Sequence, residues 1–165
     1  MKNDYCLSID LEEYFHAANL EPYYGRKGWD SLESRVEIST ERLLELFESR
    51  NTKATFFCLG WVAKRKPKLI QKISKLGHEI ASHGFEHEIV YQQKEDQFFQ
   101  DIHDSKKLLE DITSTEVKGY RAPNFSITEK SPWAYDKLIE AGYLYDSSLY
   151  PVAHPRYKNL SLIHI

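Results

Sequence analysis

Two histidines, His83 and His87, stand with three residues between them in the run Ser82-His83-Gly84-Phe85-Glu86-His87. If this segment makes a helical turn, the spacing brings two imidazoles to one side. Neutral imidazole ligates zinc, cobalt and similar divalent ions, and one added carboxylate completes a three-ligand site open to water. The alternative is a pair of surface or hydrogen-bonded histidines. A metallopeptidase motif is absent, because that needs His-Glu-x-x-His on a helix. Glu86 directly precedes the second histidine, and after His78-Glu79 the next histidine comes one position too late.

Three further groups carry chemistry. In Asp10-Leu11-Glu12-Glu13, an extended chain points Asp10 and Glu12 to one side, and Leu11 and Glu13 to the other. Two carboxylates on one face suit metal or proton chemistry, and a solvated acidic turn is the alternative. In Gly119-Tyr120-Arg121-Ala122-Pro123-Asn124, the arginine can hold a carboxylate by paired hydrogen bonds while the proline fixes the turn that presents it; a structural ion pair is the other reading. Asp146-Ser147-Ser148 either binds a sugar hydroxyl or makes a turn, and the turn is the simpler account.

These residues need a scaffold, and short apolar runs alternating with amphipathic stretches predict parallel strands joined by helices. Tyr5–Asp10, Ala54–Leu59, Glu79–Ser82, Lys118–Arg121 and Tyr143–Ser147 read as strands. Between them, Ser39 offers an N-cap to a helix over Glu41–Arg50 with Leu43, Leu44, Leu46 and Phe47 on one face. Pro67 opens a second helix, with Leu69, Ile70, Ile73 and Leu76 at helical spacing, and Gly77 stops it. Lys94–Ile112 is a long helix with Phe98, Ile102, Leu108, Leu109 and Ile112 inward and a charged, solvated outer face. Ser131 caps a last helix from Pro132 to Ala141, terminated by Gly142. Five such units fit a doubly wound sheet or part of a (β/α) barrel equally well. In both, ligands bind at the C-terminal ends of the strands, where Asp10, His83, Arg121 and Asp146 all fall.

The composition fits one globular domain with its own core: 165 residues, 41% hydrophobic and 28% charged. With 22 basic and 25 acidic residues well mixed, giving a net charge of -3, no basic stripe for nucleic acid exists. Cys6 and Cys58 lie in apolar runs and read as core thiols without a disulfide. The sequence shows neither a secretory signal nor a membrane-length apolar window, so the expected location is the cytoplasm.

Taken in order, SIDLEE, ASHGFEH, YRAPNFS and YDSS resemble the successive motifs of the polysaccharide deacetylases, carbohydrate esterase family four, from about Tyr5 to Pro155. The form SIDLEEYF is similar to the exosortase-associated exopolysaccharide branch of that family. The resemblance implies a deformed (β/α)7 barrel, incomplete at its C-terminus. It also implies a divalent metal, usually zinc, that serves to remove N-acetyl groups from the amino sugars of a polysaccharide or oligosaccharide. Carried over by position, Asp10 is the general base, Arg121 orients it, and His83 and His87 ligate the metal. Asn124 and Asp146 contact the substrate. The family's adjacent-aspartate pattern would put the carboxylate ligand at Leu11, which cannot ligate, so same-face geometry points to Glu12, with Glu13 as the fallback. A backbone N–H after Arg121 is the candidate to stabilise the oxyanion.

The family's proton donor is a histidine in a late Leu-x-His motif. His164 in LSLIHI superficially matches it, yet the hexapeptide also reads as a technical tail. Residues 1–159 are therefore expected to be the N-terminal portion of the catalytic domain and 160–165 the tail, with the true acid on later strands and little activity in this chain. Tyr14, Phe15, Trp29 and Tyr150 either line a sugar groove or fill the core, and the core is the simpler reading.

Overall fold

A computed structural model of the chain describes residues 6–149. Tyr150, His164 and the 160–165 tail lie outside the described residues. In chain order the elements are β1 (Ser8–Leu11), α1 (Glu21–Gly28), α2 (Val36–Ser49), β2 (Thr55–Cys58), α3 (Gly60–Arg65), α4 (Pro67–Lys75), β3 (Glu79–Ser82), α5 (Glu95–Thr113), β4 (Gly119–Tyr120), α6 (Ala134–Glu140) and β5 (Tyr145–Asp146). Among the described residues, no helix is long and apolar enough to cross a membrane.

The five strands are parallel and lie in the order β1-β2-β3-β4-β5. Spatial order thus equals chain order, without the reversal that defines a doubly wound sheet. Right-handed crossovers that all step the same way put the helices between successive strands on one face and curl the other face toward a barrel interior. Side chains bridge this interior: Arg121 Nη1, just past β4, lies 2.7 Å from Asp10 Oδ1 on β1, and its Nη2 donates to Ser8 Oγ at 3.0 Å.

Register sets which residues face inward. Asp10 pairs with Phe57 and Phe57 with Ala81, so these share the interior face, one layer above Ser8, Thr55 and Glu79. Gly119, opposite Ala81 through the Ser82–Tyr120 pair, faces the same interior: a Cβ there would sit 2.1 Å from the Tyr145 ring. That ring crosses the interior to donate its hydroxyl to Glu79 Oε1 at 2.8 Å. The outer face carries the apolar core, where Phe56, Cys58, Ile70, Ile73, Phe98, Ile102 and Leu109 are fully enclosed between sheet and helices.

Several expectations shift for identifiable reasons. β1 begins at Ser8, and Cys6 before it is exposed, so only Cys58 is a core thiol. α2 starts at Val36, three residues before Ser39, because its cap comes from elsewhere in the chain: Glu13 accepts the N–H groups of Arg35 at 2.9 Å and Val36 at 3.2 Å. On α2, Leu44 and Phe47 are buried but Leu46 is half exposed. Ser131 does not cap α6; its hydroxyl instead accepts the Thr128 N–H at 3.1 Å. Phe15 and Trp29 are core residues, while Tyr14 stays 37% exposed at the rim.

Candidate active site

The upper ends of β1, β3 and β4 converge on one pocket. Glu12 follows β1, His83 follows β3, and His87 comes from the loop beyond it. One ligand atom from each lies within 4.8 Å of the others. His83 and His87 are 2% and 6% exposed, so the imidazoles are held in a dry environment. His83 Nδ1 lies 2.8 Å from the Arg121 carbonyl oxygen. A carbonyl only accepts, so Nδ1 carries the proton and the Nε2 lone pair is left for ligation. Burial is the first cause that pushes the His83 pKa down, with repulsion from His87 adding to it, so the ring is neutral as a ligand must be.

Glu12 Oε2 tests whether a cation fits. It is buried, lies 2.7 Å from His87 Nε2, and has no hydrogen-bond partner. An enclosed carboxylate oxygen facing an imidazole nitrogen without a hydrogen bond is costly unless a cation satisfies it. Two nitrogen donors and one oxygen donor suit zinc and its neighbours. The expected helical turn is absent here. The residues from His83 to His87 form a bend with Gly84 at φ +75° and His87 at φ +55°, and this bend, not helical spacing, brings the imidazole centroids to 5.4 Å.

Asp10 lies beside this trio, and Arg121 anchors it. Nη1 binds Asp10 Oδ1, Nη2 donates to Ser147 Oγ at 2.9 Å, Nε donates to the Ser147 carbonyl at 3.3 Å, and the guanidinium carbon sits 3.9 Å over the Phe57 ring. Four restraints fix the direction in which Asp10 Oδ2 points. Asp10 is 30% exposed at its side chain and reachable from solvent.

Glu13 is not a ligand. Its carboxylate is 2% exposed and turned to the other face of the chain, where it caps α2 and accepts the Ser34 hydroxyl. Asp146 is not brought into the pocket either. It pairs with Tyr120, whose ring packs on Phe98 of α5, so it points outward. Its two oxygens accept the Ser148 N–H at 3.0 Å and the Ser148 hydroxyl, which in turn accepts the Ala122 N–H at 2.7 Å. The turn reading of Asp146 therefore holds, and its service to the site is to anchor the loop after Arg121. In that loop the Ala122 N–H is engaged and Pro123 has none, so Asn124 supplies the first candidate oxyanion donor. Asn124 has φ +53° and a buried Nδ2 with no partner.

Sequence reasoning missed His16. It is 3% exposed and packs on Trp29 at 4.3 Å and Trp61 at 5.0 Å, and its ring stacks beside His87 at 6.1 Å. Burial first, then the His87 and His83 charges, lower its pKa to about 3. Its Nδ1 accepts the Glu13 N–H at 3.0 Å. His16 thus walls the pocket as a neutral ring.

Residues 29–143 match the polysaccharide deacetylase family. The chain is 31% identical over 117 residues to the peptidoglycan deacetylase of Helicobacter pylori, a match covering 68% of this chain and 38% of that protein. It is 34% identical over 104 residues to a peptidoglycan-N-acetylglucosamine deacetylase of Bacillus cereus, covering 63% of this chain and 47% of the relative. The matched stretches are less than half of either relative. Among solved structures, a Mycobacterium smegmatis protein assigned as a polysaccharide deacetylase superposes with a TM-score of 0.70 at 29% identity, over 87% of this chain and 50% of that one. With its barrel-type sheet, its Glu-His-His cluster and its Asp-Arg pair at the strand ends, this chain belongs to the polysaccharide deacetylase family.

Proposed function

We propose that the chain carries the metal-binding site of a hydrolase that removes N-acetyl groups from the amino sugars of a polysaccharide. The observation that carries this reading is the convergence of Glu12, His83 and His87 around an unsatisfied buried oxygen, directly beside the braced Asp10–Arg121 pair. A divalent ion, zinc in this reading, would supply Lewis acidity there, acidifying water and polarising the acetamide carbonyl. Asp10 takes the water's proton on Oδ2 while Arg121 holds Oδ1 and keeps the carboxylate aimed. The Asn124 N–H is placed to receive negative charge developing on the carbonyl oxygen. His83 keeps the lone pair of Nε2 free, because its Nδ1 proton is held by the Arg121 carbonyl.

The departing amine needs a proton, and His16 is unsuited to give it: it is neutral, with a pKa of about 3, and its Nδ1 is committed to the Glu13 N–H.

The SIDLEEYF signature supports an exopolysaccharide as the polymer. The two curated relatives, both named as peptidoglycan deacetylases, favour a second reading in which the target is the glycan strand of peptidoglycan. Acetate and free amine released from an N-acetylglucosamine homopolymer and from peptidoglycan strands separate the two. The first reading expects release from the homopolymer that stops when a chelator is added. Turnover confined to peptidoglycan favours the second. Chelator-insensitive acetate release would remove the metal from the account.

A further inference from the structure

We infer that Asp101 and Ser105, one turn apart on α5, are positioning residues that hold the His83–His87 loop in its ligating shape. This inference rests on the reading of Glu12, His83 and His87 as a metal site.

The loop cannot hold this shape by local preference. Two of its five residues have left-handed backbone angles, Gly84 at φ +75° and His87 at φ +55°, and His87 pays steric strain for it. The loop is also neither helix nor strand, so its polar backbone groups need partners from outside. α5 supplies them. Asp101 Oδ1 accepts the Phe85 N–H at 2.9 Å and Oδ2 accepts the Glu86 N–H at 3.2 Å, so one carboxylate spans two consecutive amides between the histidines. Ser105 Oγ donates to the Gly84 carbonyl at 3.0 Å and pairs with Ser82 Oγ at 2.9 Å, and Ser82 Oγ accepts the Gly84 N–H at 3.2 Å.

The opposite side is closed by the start of α3. Gly60 N–H donates to the Gly84 carbonyl and Trp61 N–H to the Phe85 carbonyl, each at 2.9 Å. The packing leaves no slack. A Cβ on Gly84 would come 2.8 Å from Asp101 Oδ1, and one on Gly60 would come 2.6 Å from the Phe85 ring. Ser82 and Ser105 are fully buried, so their hydroxyls are satisfied inside the protein, by the loop, by each other and, for Ser82, by the Tyr143 hydroxyl.

The placement of Asp101 and Ser105 on the inner stripe of an otherwise apolar helix face is costly for the fold alone, and the bonds they make all lead to the loop. Neither touches a ligand side chain. They act through backbone geometry, by setting where the His87 imidazole sits relative to His83 and Glu12.

Zinc titration of the metal-free protein against a chromophoric chelator, with the visible spectrum of the cobalt-loaded protein, tests this. Asp101→Asn keeps the shape but turns one acceptor into a donor facing an amide. It should weaken zinc roughly 10- to 100-fold and alter the cobalt bands, as loss of outer partners does at metal sites. Ser105→Ala should weaken zinc several-fold, in the same direction. Thr113→Ala, about 18 Å along the same helix, removes a hydroxyl that bonds the Leu109 carbonyl. It should lower the melting temperature and leave affinity and spectrum unchanged. If Asp101→Asn does not fold, Ser105→Ala decides, and wild-type affinity there overturns the inference. Wild-type affinity and spectrum in both variants overturn the positioning role alone. Failure of the unmutated protein to take up zinc or cobalt overturns the metal reading and this inference with it.

Discussion

Glu12 and Glu13, adjacent just past β1, should give opposite phenotypes when each is changed to glutamine. Glu13 is 2% exposed, and its carboxylate accepts two backbone N–H groups at the start of α2 plus the Ser34 hydroxyl. Each hydrogen bond to a charged group contributes about 1.5–3 kcal/mol, and a helix cap with its dipole interaction about 1–2 kcal/mol; these overlap and do not add in full. Glutamine preserves the volume but turns one oxygen into an NH2 facing donors. We expect Glu13→Gln to cost about 2–4 kcal/mol, which for a domain of this size lowers the melting temperature by roughly 5–15 °C. Zinc affinity should stay within a few-fold of wild type. Glu12→Gln should do the reverse. Its Oε2 makes one contact in the metal-free protein, with His87 Nε2 at 2.7 Å, which a glutamine can keep, so metal-free stability should change by less than about 1 kcal/mol while zinc affinity falls about 100-fold or more. Circular-dichroism melts in chelator and zinc titrations of both variants read the two axes separately. The reasoning fails if Glu13→Gln abolishes zinc binding with an unchanged melt, or if Glu12→Gln unfolds the metal-free protein while zinc binding survives.

Three other outcomes follow from the geometry. Arg121→Lys cannot reproduce the fork that joins Asp10, Ser8 and Ser147, so acetate release should fall at least 100-fold with zinc affinity little changed; co-loss of metal would contradict the orienting role. Gly84→Ala, at φ +75° and 2.8 Å from Asp101 Oδ1, should destabilise the protein by about 1–3 kcal/mol, as measured by urea unfolding. His78 accepts the Ala54 N–H on Nδ1 at 3.1 Å, and burial first, then Lys53, lowers its pKa. The unfolded chain therefore takes up this proton first, near the usual 6.5, and the His78 contribution is lost as pH falls below that value. His78→Gln should flatten the stability-against-pH curve on the acid side, and an unchanged slope would refute it.

Much of the site was legible because strand alternation and strand-end placement are local properties. Asp10, Glu12, His83 and Arg121 each sit at or beside the end of a predicted strand, and period-two alternation put Asp10 and Glu12 on one side and Glu13 on the other. What the sequence concealed is what other elements contribute. The start of α2 was misplaced because its cap, Glu13, lies more than twenty residues upstream. The left-handed bend at Gly84 and His87 is stabilised by α5 and α3, so helical spacing was the wrong frame for how the two histidines approach each other. Asp101 and Ser105 went unread inside the inward stripe of Phe98, Ile102 and Leu109; polar residues on that stripe were the available signal. Barrel against doubly wound sheet could not be decided from periodicity, which does not encode strand order. Asp146 was drawn toward the substrate by its strand-end position, while its register with Tyr120 turns it away.

The central claim is that Glu12, His83 and His87 hold a divalent ion. Elemental analysis of the purified protein after equilibration with zinc and removal of the unbound ion addresses it directly. The account predicts close to one ion per chain in the unmutated protein and a small fraction of that in His83→Ala. A chain that retains no ion, or a His83→Ala variant that retains as much as wild type, would contradict it.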